Sequence, residues 1–273
     1  FLGARIGARP APRVGPGSAV GRAPLASGVP SPAVTSHLPA SARLAWWGTS
    51  WLRGHVVPDL LLDAVLGEDV THAVAGLSGL GLGSSGDGPS ETLLGGLARL
   101  RVEGALSFGA TFPVEGDPVG LGGPASFNAA ALEAGEAVVV VLADGSAVGL
   151  VPETVGAATT WVAHRAARRQ LPDVGEADRA LRAGMIQAAD ALAALDVARW
   201  RPEVADRLID LRRSEPLEGP PGTPPRCVEL LARGLRAAEV VDPAPGRPRA
   251  PGHGRRVLSR GLAARVITGA RRH

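Results

Sequence analysis

The chain has 273 residues, among them 29 arginines, one cysteine (Cys227), no lysine and no tyrosine. These omissions exclude a Walker-type phosphate lysine, Schiff-base chemistry, a Ser–Lys dyad, a phenolic acid or base, an internal disulfide and a multi-cysteine zinc site. Charge is segregated: six arginines and no acid lie in residues 1–58, and eight arginines and no acid in residues 243–273. All 26 acids fall between Asp59 and Asp242, so the formal net charge of +3 hides an acidic middle between basic ends.

Residues 1–40 alternate Arg, Pro, Gly, Ala and Ser without a hydrophobic period and are expected to be disordered. They hold no apolar stretch of about 7–15 residues, so no secretory signal is expected and the cytoplasm is the default location. The most apolar run, Ala137 to Ala143, is far shorter than the roughly 20 residues of a membrane span, and no membrane partner is expected.

Structure is expected from Ser41, placed to cap a helix whose inner face is Leu44, Trp47, Trp51 and Leu52. Gly54 ends it. Pro58 suits the first turn of a second helix, with Leu61, Leu62, Val65 and Leu66 inward and Gly67 as the stop. His72 to Gly76 reads as a short strand, followed by a glycine-rich loop from Gly79 to Gly88. Ser90 is placed to cap a helix carrying Leu93, Leu94, Leu97 and Leu100, weakened by Gly95 and Gly96. Val102 to Phe112 alternates, which predicts a strand with Leu106, Phe108, Ala110 and Phe112 on one side.

Pro113 to Gly123 is a loop and Pro124 to Ala134 a helix. Ala137 to Ala143, with four consecutive valines, is the strongest strand. Asp144-Gly145 signals a hairpin turn into Ala147 to Val151, and Ala158 to His164 adds a strand. Asp178 to Ala198 has Leu181, Met185, Ala188, Leu192 and Leu195 at helical spacing, and Pro202 to Arg213 is a further helix. Residues 214–227 are proline-rich and read as a linker, with Cys227 exposed in it. Val228 to Ala238 is a short helix ahead of the basic tail.

This order predicts an α+β fold: a small mixed or antiparallel sheet with a β-hairpin, packed by N-terminal and C-terminal helices, with disordered termini. The expected divisions are 1–40 disordered, 41–213 globular, 214–227 linker and 228–273 helix plus basic disordered tail.

Gly81-Leu-Gly83-Ser-Ser-Gly86 matches a dinucleotide-loop pattern, with Glu103 about 20 residues on. The following helix opens after Asp87-Gly-Pro and not at the last glycine, so the match reads as a surface loop and no cofactor is expected. The segment from Pro113 to Asn128 is the better candidate. Gly122 and Gly123 leave backbone N–H groups unshielded beside a helix start, with Asp117, Ser126 and Asn128 as polar groups around them. Such a terminus can take a small anion or nucleotide-like ligand, against the alternative of a rigid, self-satisfied loop. Asp69 and His72, with His55 or Glu68 nearby, would share a metal only on a continuous helix, which Gly67 interrupts; no metal site is expected. Asp59/Asp63 and Asp206/Asp210 read as solvated helix faces.

Three motifs carry a resemblance. Gly116-Asp-Pro-x-Gly-Leu-x-Gly-Pro-x-x-Phe-Asn128, continued by Ala131-Leu-Glu-Ala-Gly-Glu-Ala-Val138, is similar to a family of conserved hypothetical proteins from high-GC actinobacteria. Trp47-Gly-x-x-Trp51-Leu-x-Gly54 and Asp196-Val-Ala-Arg-Trp-Arg-Pro-Glu203 share that resemblance, which spans about residues 44–213. It implies a common fold unit and lends no catalytic residue. The expected function is therefore a non-catalytic binding or protein-interaction module. The alternatives are a small-ligand binder or enzyme using the 113–128 loop, and weak non-specific nucleic-acid contact through the arginine-rich ends, which lack interleaved aromatics.

Overall fold

A computed structural model of the chain describes residues 38–83, 88–116, 120–167, 173–194 and 217–241. In chain order the described elements are α1 (Ala40–Leu52), α2 (Pro58–Leu66), β1 (Thr71–Ala75), β2 (Ser90–Thr92), α3 (Leu93–Val102) and β3 (Ala105–Thr111). They continue with α4 (Ala125–Ala134), β4 (Ala137–Leu142), β5 (Ala147–Val155), β6 (Ala158–Ala166), α5 (Val174–Ala194) and α6 (Pro225–Val241). The expected helix over Pro202–Arg213 lies outside the described residues.

The six strands form one mixed sheet in the order β2-β1-β6-β5-β4-β3, with β1 parallel to β6 and every other pair antiparallel. The fold is α+β, as the element order predicts. The β4–β5 hairpin closes at Asp144-Gly145, where Asp144 Oδ1 accepts from the Ser146 backbone N–H and hydroxyl (2.8 and 2.7 Å). Alternation then sorts side chains between the two faces. Val138 and Val140 stand beside Leu150 and Val148 on one face, while Ala137 and Val139 point to the other. Both faces are covered, which is why a run of valines suits β4.

The larger hydrophobic cluster gathers Leu44, Trp47 and Trp51 of α1, Leu61 and Val65 of α2, Leu97 and Leu100 of α3, and Leu181 of α5 with Leu230 and Leu231 of α6. Helix α1 lies on β3, where Gly48 brings its backbone against the Phe108 ring; a Cβ there would stand 3.0 Å from Phe108 Cδ2. At the next residue Thr49 Oγ1 accepts from the Phe108 N–H (3.0 Å), so a helix side chain occupies a donor on the outer edge of the sheet. Arg43 of α1 is buried. Its guanidinium donates to the carbonyls of Val65, Leu66 and Leu38, supplying donors to the end of α2, and burial holds its pKa below the ordinary value. The smaller cluster lies under α4, whose Phe127 covers Gly149 of β5.

Several local expectations are corrected. Ser41 caps nothing through its side chain; its backbone N–H instead donates to Glu136 Oε2 (3.0 Å). Ser90 starts the edge strand β2, and Thr92 is the cap of α3, accepting from the Gly95 N–H (3.2 Å). Gly96 is a packing residue: a Cβ there would lie 2.4 Å from Val74 Cβ, so glycine lets α3 close onto β1. Val102 belongs to α3, and Leu106 is 58% exposed because a register irregularity between Ala105 and Ser107 breaks the alternation.

Met185 is exposed; among the described side chains of α5 the buried ones are Val174, Ala177 and Leu181, and the expected inner-face residues Ala188, Leu192 and Leu195 lie outside that set. Cys227 is buried, 1% exposed: Pro225 opens a helix there, whose inner face carries Cys227, Leu230 and Leu231 into the larger cluster. Residues 217–224 of the expected linker lie against α1. Trp46 Nε1 donates to Thr223 Oγ1 (3.1 Å), Ser50 Oγ donates to the Pro221 carbonyl (2.8 Å), and Gly219 sits on the Trp46 ring.

Candidate functional site

The loop leading into α4 is closed by its own groups. Gly123, at φ +93°, donates its N–H to Asn128 Oδ1 (3.0 Å) and accepts from the Ala167 N–H through its carbonyl (2.9 Å). Gly122 passes so near the exit of β6 that a Cβ would stand 2.6 Å from the Ala167 carbonyl oxygen. Gly122, Gly123 and Asn128 thus meet, and they stitch the loop to the sheet. Ser126 is solvent-exposed in the first turn of α4, and Asp117 lies outside the described residues.

The glycine-rich loop is treated the same way. Glu103, the residue that ends α3, accepts from the Gly83 N–H through Oε1 (3.1 Å), and the Arg99 side chain lies over Gly83 while pairing with Glu91 (3.1 Å). A backbone donor that could face a pyrophosphate is therefore held by a carboxylate. Residues 84–87 are outside the described set.

The densest convergence of polar side chains joins the α2–β1 turn to β6. His72 Nε2 and Asp69 Oδ2 are 2.8 Å apart, Thr159 Oγ1 donates to the same Asp69 oxygen (3.0 Å), and Trp161 Nε1 lies 3.2 Å from His72 Nδ1. Thr154 and Thr159 hydroxyls are 3.0 Å apart. An indole N–H can only donate, so His72 Nδ1 carries a lone pair and the ring proton sits on Nε2, pointing at the carboxylate.

The His72 side chain is fully buried and that of Asp69 is 24% exposed. Burial pushes the His72 pKa down against the opposing pull of Asp69, and the Arg43 charge adds to the depression. For Asp69 burial acts upward, but the hydrogen bonds from His72 and Thr159 outweigh it and hold the carboxyl below its ordinary range. Asp69 and His72 bind one another, and among the described residues no three His, Cys, Asp or Glu side chains gather as metal ligands. Their three-residue spacing was legible in the sequence; Trp161 and Thr159 were not, because a parallel pairing across 89–90 positions brings them in.

A shallow cleft lies where α1 meets the proline-rich segment, lined by Trp46, Ser50, Arg53, His55 and residues 221–224. No motif in the sequence marks it. Its walls are fixed by the Trp46 and Ser50 hydrogen bonds and by Gly222, at φ +83°, lying on the His55 ring. The lining includes two basic side chains and no acid.

Trp47 and Trp51 are core residues, and the Arg101 guanidinium stands 5.0 Å from the Trp51 ring. Asp59 and Asp63 are on an exposed helix face, and Asp206 and Asp210 lie outside the described residues. Burial raises the Cys227 thiol pKa, so this sulfur is sheltered and protonated at neutral pH. No described helix is long and apolar enough to cross a membrane.

Two family models match end to end: the N-terminal domain of Rv1486c-like proteins over residues 41–174 and their C-terminal domain over residues 175–273. The second reaches well past Arg213, where the motif-based resemblance stops. Similar proteins include Rv1486c of Mycobacterium tuberculosis, 29% identical over 248 residues, covering 77% of this chain and 84% of that protein. ML1804 of Mycobacterium leprae is 28% identical over 249 residues, covering 76% and 77% respectively. Both relatives are described as uncharacterised proteins. No solved structure matches at a significant level.

Proposed function

This chain belongs to the Rv1486c-like protein family, and from that premise we propose that it works as a non-catalytic binding or protein-interaction module. One observation carries the reading. The buried imidazole commits both ring nitrogens inside the fold, to Trp161 and Asp69, and the Asp69 oxygen that meets it also takes the Thr159 hydroxyl. A general base needs a lone pair within reach of a substrate proton, and this arrangement spends it on an indole. The surface best suited to binding is the Trp46–Arg53–His55 cleft, where an aromatic ring meets two basic side chains on a wall held by the Trp46 and Ser50 hydrogen bonds. The proposed setting is the cytoplasm.

A second reading, a small anionic or nucleotide-like ligand on the 113–128 loop, has one feature in its favour: Ser126 is exposed in the first turn of α4. A thermal-shift screen separates the two. Inorganic phosphate, ATP and acetyl-CoA are tested on the full chain, on Arg53→Gln and on Ser126→Ala. The interaction-module reading expects no shift, or one lost in Arg53→Gln. A shift lost only in Ser126→Ala transfers the site to the loop, and turnover of any of these probes refutes the non-catalytic reading. Contact of the basic ends with nucleic acid is a separate, weaker proposal. It requires affinity that falls steeply with salt.

A further inference from the structure

We propose that His72, held as its Nε2–H tautomer between Asp69 and Trp161, is an acid-sensitive latch that fastens the α2–β1 turn to β6 and opens when Nδ1 takes a proton. The argument begins with donors and acceptors. Neutral imidazole has one of each, and here the donor meets a carboxylate and the acceptor meets an indole N–H, so both bonds are made at once. A proton added to Nδ1 turns that nitrogen into a donor aimed at another donor 3.2 Å away. Nothing nearby relieves the conflict: the side chain has no solvent exposure, and the Trp161 indole cannot accept. The imidazolium must leave its place or Trp161 must move.

Charges act on the ring from two sides. Asp69, on the turn, favours the imidazolium, and Arg43, on α1, opposes it; the facing groups of β6 and β5, Thr159, Trp161 and Thr154, are uncharged. Arg43 is itself drawn toward Asp69, Glu68 and Glu136, so its guanidinium keeps its charge throughout. The latch sits on the parallel seam, where His72 pairs with Thr159 and Ala73 with Thr160. Leaving that position frees the start of β1 while the antiparallel β4–β5–β6 ladder stays intact.

The sign follows from the lowered affinity of the closed form. At pH above the ordinary imidazole value of 6.5 neither open nor closed chain holds the extra proton and the latch is at full strength. Below it the open form takes up a proton that the closed form refuses, and closure weakens progressively. Asp69, depressed from an ordinary 3.8, contributes its own loss only in a separate and more acidic window.

The test is hydrogen exchange of the full chain from pH 7.5 to 4.5, corrected for the intrinsic rate and read on residues 69–75 and 158–163. Exchange there rises as pH falls, ahead of exchange in β4 and β5. Trp161→Phe, which removes the opposing donor, moves the midpoint up by about one pH unit, the net worth of one hydrogen bond. Asp69→Asn keeps an acceptor for Nε2–H but removes the charge that favours imidazolium, and moves the midpoint down. His72→Gln abolishes the pH dependence. Midpoints that stay put or shift together in the two variants, or an acid opening that persists in His72→Gln, overturn the proposal. So does a nitrogen-15 spectrum of the wild-type chain showing neutral His72 protonated on Nδ1, which needs no variant to fold.

Discussion

The two faces of the sheet are closed by different means. One is covered by α1 and α3, and side chains of α2, α5 and α6 join them in a single cluster with Trp47, Phe108 and Trp161. The other is closed by α4 and the loop before it, around Phe127 and Leu121. Redundant cover spreads the cost of any one loss over many neighbours. On the thin side, close approach substitutes for number: Phe127 rests where β5 has only glycine, and a Cβ at Gly149 would lie 2.2 Å from the ring. Polar groups follow the same division. His72, Thr159 and Trp161 belong to the thick side and are buried, whereas Asn128 and Gly123 tie the thin side to the end of β6 near the surface.

The sharpest way to break this contrast is Phe127→Ala. Phe127 is fully buried, and its truncation is expected to cost about 3–5 kcal/mol in urea-induced unfolding. Hydrogen exchange should rise first in α4. A cost below about 1 kcal/mol would mean that α4 is not what closes that face.

Gly96→Ala comes next and tests the thick side by its sign. Helix propensity alone predicts a gain of about 1 kcal/mol, while a Cβ placed 2.4 Å from Val74 Cβ predicts an overpacking loss of about 1–3 kcal/mol. The expected net effect is a lower Tm. A higher Tm would show that α3 has room above β1.

The smallest effect is expected at the α5–α6 crossing, where Asp178 pairs with both Arg182 and Arg233 at the surface. Asp178→Asn should cost no more than about 1 kcal/mol and the difference should vanish in 1 M salt. A larger, salt-insensitive loss would mean that this crossing matters as much as the apolar contacts of Leu181 and Leu230.

How much was legible in the sequence depended on what each residue had to satisfy. The spacing of Leu44, Trp47 and Trp51 foretold the inner face of α1, and Pro58 and Gly67 bracketed α2 to the residue. The hairpin at Asp144-Gly145 was equally plain, because turn chemistry is local. Leu106 was misplaced since one irregular residue reverses alternation, and a bulge has no compositional mark in this stretch. Ser90 and Thr92 are both good caps by composition. Only the neighbouring β1 decides that Ser90 is strand and Thr92 is cap.

The candidate site was legible in part. Gly122, Gly123 and Asn128 stand out as a glycine pair beside a helix start, yet that pattern serves a ligand or the chain's own backbone equally well. The choice lies with Ala167, more than 40 residues beyond Gly123, whose N–H donates to the Gly123 carbonyl. His72 and Asp69 are visible as a pair three apart, but what occupies the other ring nitrogen is invisible until β6 is laid beside β1.

By itself the sequence determined the α+β class, the period of each helix and strand, the segregation of charge and the chemistries that lack their residues. These are properties of near neighbours along the chain, governed by backbone geometry and composition. Tertiary structure alone decided that a proline-rich stretch lies against Trp46, that a cysteine beyond it is buried, and that an imidazole shares its nitrogens between an acid and an indole. Each of those depends on groups brought together across tens to more than a hundred residues, where no local rule operates and packing chooses the partner.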